Sequence, residues 1–182
     1  QFLVNQSLLI NDHEHALAIL LNWLDKYQEE FTLVAAGHRV VHGGILFRAP
    51  VRIDATVFEQ LTQLIPLAPL HQPHNLAPIK ALSQLKQDLP QVACFDTAFH
   101  ANQPAIAQAF ALPRHLTEKG IKRYGFHGLS YEYIAESLPQ IIGNTPAKVV
   151  IAHLGNGSSL CALQQGESVA TTMGFTALDG IP

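Results

Sequence analysis

The segment K-V-V-I-A-H-L-G-N-G-S-S, residues 148–159, decides how the rest of the chain is interpreted. Its first apolar residues, 149–152, form a short run that is typical of a buried strand. Gly155 and Gly157 then flank Asn156, and two glycines allow the backbone to turn tightly and to approach a ligand. Two interpretations follow: an ordinary β-turn between two strands, or a turn whose amide N–H groups hold phosphate oxygens. The spacing alone leaves both open.

Length and composition describe a core-forming protein. The chain has 182 residues, 48% of them hydrophobic and 14% charged, which suffices for one large domain or parts of two. The 11 basic and 14 acidic residues give a formal net charge of −3 without a basic block, so we expect no nucleic-acid partner. No apolar run could span a bilayer and no signal peptide opens the chain, so we expect no membrane association. Cys94 and Cys161 lie in apolar runs, which favours reduced thiols in a cytoplasmic protein.

Helix and strand patterns alternate along the chain. Apolar residues at helical spacing behind a capping residue predict each helix, and short apolar runs bounded by Gly or Pro predict the strands. The predicted helices cover 12–30 with the cap Asp12, the segment from the cap Asp54 to a stop at Pro66, 75–87, and 130–138 with the cap Ser130. The predicted strands cover 31–41, 92–96 and the segment from Lys148, followed by a hairpin of 160–163 with 168–172 around Gln165 and Gly166. Residues 1–11 are predicted as a strand or loop, and residues 67–75 as a loop.

Four polar residues lie where binding or catalysis is common. Arg39 stands among apolar strand residues and needs an anionic partner, either a structural salt bridge or a bound carboxylate or phosphate. Asp96 ends the predicted strand 92–96, and ligands of open α/β sheets gather at the carboxyl ends of strands; the alternative is an N-cap. His127 lies in a turn bracketed by glycines, and His71 lies in an unusually apolar loop. Each histidine can be structural or functional.

Six motifs occur in order: H-R-V-V-H-G-G (38–44), A-P-L-H (68–71), F-D-T-A-F-H (95–100), R-Y-G-F-H-G (123–128), H-L-G-N-G-S-S (153–159) and M-G-F-T (173–176). Together they resemble the acetate and propionate kinase family over nearly the whole chain, from about residue 12. Any single motif would be a weak signal. The resemblance is specific because all of them stand in register.

The resemblance implies an α/β protein with an actin-like ATPase (ribonuclease H-like) fold, in which mixed sheets are flanked by helices and two domains enclose a cleft. Residues 1–146 would form the acyl-substrate domain without its first strands, and residues 147–182 the beginning of the nucleotide-binding domain. The implied reaction is reversible transfer of the ATP γ-phosphoryl group to acetate or propionate, giving an acyl phosphate and ADP. The resemblance also implies Mg²⁺ and a cytoplasmic homodimer, with no metal ligand inside this chain.

The resemblance assigns roles to individual motif residues. Arg39 would bind the substrate carboxylate, Asp96 would be the catalytic aspartate, and His127 would stabilise the transition state. His71 matches a histidine near the transferred phosphoryl group. The apolar pocket for the alkyl end of the substrate would be lined by Val41, Leu70 and Phe126. The phosphates of ATP would be bound by the segment His153, Leu154, Gly155, Asn156 and Gly157.

The chemistry of phosphoryl transfer suits these residue types. The reaction needs positioned donors around the phosphoryl oxygens and little covalent help from the protein. Acetate is already ionised at neutral pH, so no general base is required to activate it. We therefore expect Asp96 to orient Arg39, or a water molecule on magnesium, rather than to move a proton.

Departures from the family pattern bear on specificity and on completeness. Ala177 stands where the family usually has a proline, which leaves more room for propionate. Ile45, Leu129 and Tyr131 replace a glutamate, a threonine and a histidine. The family's first strand with its metal-binding asparagine, and the arginine, adenosine-binding and glutamate segments that follow Pro182 in the family, have no counterpart in the sequence. We therefore expect that this chain alone does not turn over.

Two competing interpretations remain. A metal-dependent hydrolase could use His38 with His42 and His71 with His74, although no H-E-x-x-H or Cys-pair motif supports zinc. A non-enzymatic role, as a stable fragment or a degenerate paralogue, stays open because fold and motifs do not by themselves guarantee activity.

Overall fold

The computed structural model describes residues 13–27, 32–144 and 147–181. The helices are α1 (His13–Asp25), α2 (Ala55–Gln63), α3 (Gln72–Leu85), α4 (Ala105–Gln108), α5 (Arg114–Glu118) and α6 (Gly128–Ile142). The strands are β1 (Ala36–Val40), β2 (Val51–Arg52), β3 (Gln91–Phe95), β4 (Lys148–Leu154), β5 (Ser158–Gln164) and β6 (Glu167–Thr171), and single 3₁₀ turns cover Ile65–Leu67 and Ala98–His100. None of the helices in these ranges is long and apolar enough to cross a membrane.

The first sheet has the strand order β1-β3-β2. β1 runs parallel to β3, with Arg39 opposite Cys94 and Val40 opposite Phe95, whereas β2 is antiparallel to β3. The Asp96 N–H donates to the Val40 carbonyl at 3.1 Å, so the pairing continues just past β3. Because the carboxyl ends of parallel strands meet at one edge of a sheet, this register brings Arg39 beside Asp96.

Helices α2 and α3 pack against the first sheet. The buried cluster that joins them to it contains Val40, Val57, Leu61, Leu76, Ile79, Ala93 and Phe95. At the start of α2 the Asp54 carboxylate accepts a hydrogen bond from the Val57 N–H at 2.8 Å. This bond satisfies one of the donors that a helix start leaves without a partner, so the predicted Asp54 cap is confirmed.

The second sheet is antiparallel, with the order β4-β5-β6. Residues 155–157 join β4 to β5, so the predicted turn between two strands is confirmed. The predicted burial of β4 is wrong: only Ile151 of its residues is buried, because β4 lies at the edge of the described sheet. β5 and β6 form the predicted hairpin, with positive φ angles of 52° at Gln165 and 84° at Gly166. Positive φ at both turn residues suits the right-handed twist of a tight hairpin. Helix α6 packs on this sheet around the buried residues Tyr131, Ile151, Cys161 and Leu163.

A third buried cluster lies between the two sheets and contains Val41, Ala68, Tyr124, Phe126 and Met173. The N–H groups of Tyr124 and Gly125 both donate to the Gly174 carbonyl, at 2.9 and 3.3 Å. The buried His100 donates from Nε2 to the Phe126 carbonyl at 3.0 Å. Burial lowers the pKa of His100 to about 4, so this ring is neutral at physiological pH. The segment before α6 is thereby held in place from both sheets.

The helix predicted over 12–30 and the strand predicted over 31–41 differ in their bounds from the observed α1 and β1, and α2 ends at Gln63 rather than at Pro66. β1 begins at Ala36, later than predicted, and its pairing with β3 begins there, opposite Gln91. α1 ends at Asp25, earlier than predicted. The predictions for residues 1–12, including the Asp12 cap, and those for residues 28–31 lie outside the described residues.

Two predicted helix starts are wrong. α3 begins at Gln72, inside the predicted loop. Pro73 is tolerated in the first turn because the first N–H groups of a helix have no partner within the helix, so the N–H that proline lacks is not missed. α6 begins at Gly128 and continues to Ile142, so Ser130 is not its cap. The Ser130 hydroxyl is hydrogen-bonded to His153 instead.

Candidate functional site

Arg39 and Asp96 form an ion pair at the carboxyl edge of the first sheet. Arg39 Nη2 lies 2.7 Å from Asp96 Oδ2, and Arg39 Nε lies 3.1 Å from both carboxylate oxygens. The Asp96 side chain is 2% exposed, whereas that of Arg39 is 64% exposed. The hydrogen bond to Asp96 raises the pKa of Arg39 above its ordinary value. The buried carboxylate is therefore paired, while the guanidinium still reaches solvent.

This pair leaves donors on Arg39 for a second anion. A guanidinium carries five N–H donors in a planar fork. Asp96 occupies the Nε–H and one N–H of Nη2, so Nη1 and the second Nη2 hydrogen remain available. A structural salt bridge and a bound anion were the alternatives for Arg39, and this geometry makes them compatible.

Helix α6 begins directly against Asp96. The Gly128 N–H donates to the Asp96 carbonyl at 2.9 Å, and a Cβ on Gly128 would lie 2.2 Å from the same oxygen. Only glycine fits such a contact without a shift of the backbone. The preceding residue, His127, has a φ of 60°, in the left-handed region that residues with side chains rarely adopt. The contact therefore places His127 beside the end of β3.

The ring of His127 is held by two contacts. It stacks on His153 with a centroid distance of 4.0 Å and an interplanar angle of 25°. Its Nδ1 lies 2.8 Å from Ser159 Oγ. Burial lowers the pKa of His127, and the neighbouring His153 lowers it further. At neutral pH His127 is therefore an uncharged imidazole, with its second ring nitrogen available for one more hydrogen bond.

Most of the predicted site residues, but not Leu70, His153, Leu154 or Gly155, line one cleft of about 340 Å³, a volume common for small-molecule sites. Those that the structure brings together there are Arg39, Val41, His71, Asp96, Phe126, His127, Asn156 and Gly157. Another cavity, of about 380 Å³, is slightly larger, but neither Arg39 nor His127 lines it. Size alone therefore does not select the site.

The apolar wall of the cleft contains part of the predicted alkyl pocket. Val41 and Phe126 are buried in the same cluster as Met173. Ala177 packs against this cluster and lines the cleft. Leu70 is 70% exposed and is not among the lining residues, so the structure does not bring it into the pocket.

Only part of the predicted phosphate-binding segment reaches the cleft. Asn156 and Gly157 line it, whereas Gly155 does not and Leu154 is 76% exposed. A Cβ on Gly157 would lie 3.3 Å from both Cε1 and Nε2 of His127. Glycine at this position therefore allows the turn to lie close to the imidazole ring.

Several residues that line the cleft were not predicted as site residues from the sequence. The additional lining residues are Leu178, Asp179 and Ile181, together with Ser158, which the motif 153–159 already contains. An acidic residue before a glycine, shortly after the M-G-F-T motif, is the signal that could have pointed to Asp179. Tyr131 and Ser159 form a buried hydrogen-bonded pair behind His127, and no spacing in the sequence connects them.

The described residues do not by themselves form a metal site. Among them, no group of three or more His, Cys, Asp or Glu side chains could hold a metal ion. The carboxylates that line the cleft are Asp96, which is engaged by Arg39, and Asp179, whereas Mg²⁺ prefers an octahedral set of oxygens. His42, on which the hydrolase interpretation rests, is buried and accepts the Gly44 N–H at 2.9 Å.

One known protein family matches nearly the whole chain. The model of a family described as the Acetokinase family matches residues 4–182. The chain belongs to this family. The acetate kinase of Rhodopseudomonas palustris (strain ATCC BAA-98 / CGA009) is 57% identical over 171 residues, which cover 93% of this chain and 43% of the relative. The acetate kinase of Rickettsia typhi is 43% identical, over 99% of this chain and 48% of its own length. The chain thus spans less than half the length of these curated acetokinase relatives.

Solved structures of acetokinases share the fold. A propionate kinase from Francisella tularensis matches with a TM-score of 0.87 and 41% identity, over 93% of this chain and 44% of that one. The acetate kinase of Porphyromonas gingivalis matches with a TM-score of 0.82 and 37% identity, over 94% and 45% of the two chains. The predicted α/β fold class, with mixed sheets flanked by helices as in actin-like ATPases, is confirmed. The division into domains 1–146 and 147–182 stays a prediction.

Proposed function

We propose that the protein takes part in reversible transfer of the ATP γ-phosphoryl group to acetate or propionate, giving an acyl phosphate and ADP. The main support for the proposal is that the Arg39 guanidinium, which still has available donors, lies in one cleft with the apolar side chains of Val41 and Phe126. A forked cation beside a small apolar wall suits a short-chain carboxylate. Membership of the acetokinase family supports the same reaction.

The side chains of the cleft would act by positioning and by charge compensation. Arg39 holds the carboxylate through its remaining N–H groups, and the alkyl end packs against Val41 and Phe126. A carboxylate oxygen attacks the γ-phosphorus while the bond to the ADP oxygen breaks. His127 donates a hydrogen bond to the phosphoryl oxygens, where charge shifts in the transition state. Asp96 keeps Arg39 oriented and transfers no proton, because the substrate is already ionised.

Nucleotide and phosphoryl positions follow from the rest of the cleft. Asn156 and Gly157 lie at the turn where backbone N–H groups can bind the ATP phosphates. His71 lines the same cleft at the start of α3, which supports its place near the transferred phosphoryl group. His153 holds the ring of His127 in place by stacking on it.

The proposal also includes a metal ion, a cellular location and an oligomeric state. We assign Mg²⁺ only to bound ATP, since this ion commonly binds substrate phosphates together with few protein carboxylates. Neither Cys94 nor Cys161 is in a disulfide, which supports the reducing cytoplasm. The homodimer rests on the family resemblance, and light scattering of the purified protein would test it.

Formation of acyl phosphate tests the proposed function. The product of the whole reading frame that contains this sequence is incubated with acetate, ATP and Mg²⁺, and acetyl phosphate is trapped as its hydroxamate. We expect a product that requires both acetate and ATP. A folded protein that binds neither substrate and forms no hydroxamate would contradict the proposal and favour the non-enzymatic alternative.

Replacing Asp96 with asparagine is expected to lower kcat about 100-fold, because an amide cannot hold the charged fork of Arg39 in place. The shape of the pH profile between about pH 6 and 8 should not change, since no titrating group of the reaction is removed. Steady-state kinetics across this range measure both effects, with Asp54→Asn at the remote α2 cap as the matched control. Loss of a titration step in Asp96→Asn would contradict the orienting role.

Filling the space at Ala177 is expected to disfavour propionate. Ala177 packs against the apolar wall, and one extra buried methylene of the substrate contributes about 0.8 kcal/mol. Ala177→Pro should therefore lower the ratio of kcat/KM for propionate to that for acetate about fourfold. Ala177→Val, which adds bulk without fixing φ, separates volume from backbone effects. An unchanged ratio in both variants would show that residue 177 does not limit the pocket.

A further inference from the structure

Two buried hydroxyl groups lie behind His127. Tyr131 on α6 and Ser159 on β5 are both 0% exposed, and the Tyr131 hydroxyl is hydrogen-bonded to Ser159 Oγ. Ser159 Oγ also lies 2.8 Å from Nδ1 of His127. These groups form a continuous hydrogen-bonded series from the interior to a residue that lines the cleft.

One arrangement of the hydrogens satisfies every donor in this series. Burial raises the pKa of Tyr131, so the phenol keeps its proton and needs an acceptor, which is Ser159 Oγ. The serine O–H can then donate to its other neighbour, Nδ1 of His127. In the reverse arrangement Nδ1–H would donate to Ser159 and Ser159 to the phenol. Among the described residues, the buried phenol O–H would then have no acceptor. If Nδ1–H and the phenol instead both donated to Ser159 Oγ, the serine O–H would have none there, so both alternatives are unfavourable.

We propose that Tyr131 and Ser159 are positioning residues that keep the proton of neutral His127 on Nε2. Because Nδ1 accepts a hydrogen bond from Ser159, the other ring nitrogen must carry the hydrogen. Nε2 lies on the side of the glycine turn, where a Cβ on Gly157 would be 3.3 Å away. His127 therefore offers the cleft an N–H donor and not a lone pair.

The use of this tautomer in catalysis rests on the proposed phosphoryl transfer. A neutral imidazole N–H can stabilise charge on phosphoryl oxygens without removing a proton from any group. The stacked His153, whose own Nδ1 lies 3.0 Å from Ser130 Oγ, holds the plane of the ring. The donor is thus oriented before substrate binds.

The position of the proton can be measured without turnover. Long-range ¹H–¹⁵N correlation spectra of the ¹⁵N-labelled product of the whole reading frame distinguish protonated from unprotonated ring nitrogens, and a spectrum of His127→Gln assigns the signals. At a pH where the ring is neutral, we expect one dominant form with Nε2 protonated. A dominant Nδ1–H form, or an even mixture, would overturn the proposal.

Variants test which groups set the tautomer. In Ser159→Ala the His127 signals should move toward those of a mixture of tautomers. In Tyr131→Phe they should move in the same direction by a smaller amount. Ser159→Thr keeps the hydroxyl and should retain the native signals. The matched controls are Ser137→Ala and Tyr133→Phe on α6, since Ser137 bonds to the Tyr133 carbonyl and Tyr133 is 69% exposed. If Ser159→Ala does not fold, Tyr131→Phe and Ser159→Thr make the same comparison. Native spectra in both Ser159→Ala and Tyr131→Phe would overturn the proposal.

Kinetics of the whole reading-frame product separate positioning from general damage. Ser159→Ala should lower kcat about tenfold with little change in KM for acetate, because one donor is misplaced while Arg39 still binds the carboxylate. Ser159→Thr should restore kcat. A fall in kcat without any change of tautomer would assign Ser159 a merely structural role and overturn the proposal. The expected tautomer in a protein that makes no acetyl phosphate would contradict the proposed function and leave the proton placement standing.

Discussion

Replacing Arg39 with alanine is expected to lower kcat/KM for acetate about 1,000-fold. Two hydrogen bonds from the guanidinium to the substrate carboxylate, at about 2 kcal/mol each, would be lost, and each 1.36 kcal/mol corresponds to roughly tenfold in rate. Much of the loss should appear as a higher KM, because the contact exists before the transition state. Stability should fall less, since Arg39 is 64% exposed and its removal opens Asp96 to water.

Kinetics and acetate titrations of the variant measure this effect. Arg39→Lys should fall between wild type and Arg39→Ala, because a lysine keeps the charge but not the planar fork. Arg52→Ala is the matched control, since Arg52 is an exposed arginine on β2 of the same sheet. A KM for acetate that is unchanged in Arg39→Ala would contradict the assigned carboxylate contact.

Combining Arg39→Ala with Asp96→Asn shows whether Asp96 acts through Arg39. If Asp96 only orients the guanidinium, its replacement should have little further effect once Arg39 is absent. Effects that simply add would give Asp96 an independent part in the chemistry. The cycle is informative because the two side chains are in direct contact, at 2.7 Å.

Replacing Gly128 with alanine is expected to lower the free energy of unfolding by about 2–3 kcal/mol. The new Cβ would lie 2.2 Å from the Asp96 carbonyl oxygen and 3.0 Å from its carbon, so backbone has to move. Movement would also lengthen the 2.9 Å hydrogen bond from the Gly128 N–H to Asp96 and separate His127 from the Arg39–Asp96 pair. Activity should therefore fall together with stability.

Urea unfolding of the two proteins measures the loss. Gly37→Ala on β1 is the matched control, because a Cβ there would meet nothing within 4 Å and its φ is not positive. The control should change the free energy of unfolding by no more than about 0.5 kcal/mol. Equal stability of Gly128→Ala and wild type would show that α6 can shift away from β3 without cost.

Elements with local signals were predictable. The Asp54 cap and the hairpin at Gln165 and Gly166 each depend on a few adjacent residues, and both are confirmed. The start of α6 was not predictable in this way. His127 takes the capping position because Gly128 meets Asp96, a contact between residues far apart in the chain.

The residues of the candidate site likewise include some that were predictable from the sequence and some that were not. Arg39, Asp96 and His127 stand out by residue type and motif, and the structure places them in one cleft. Leu70 belongs to a motif as well, but its side chain is 70% exposed and does not line the cleft. Motif membership identifies a residue without deciding the direction of its side chain.

The sequence by itself determined the family, the strand and turn of residues 148–159, and the polar residues worth testing. These depend on residue type and on short-range spacing. The sequence left open whether Asp96 orients Arg39 or a water molecule on magnesium; only the tertiary structure showed that Asp96 pairs with Arg39 and that Ser159 contacts His127. Both contacts join distant residues, the first through parallel pairing of β1 with β3 and the second through packing of α6 on β5. Because such packing depends on the whole folded chain, no local pattern could have specified it.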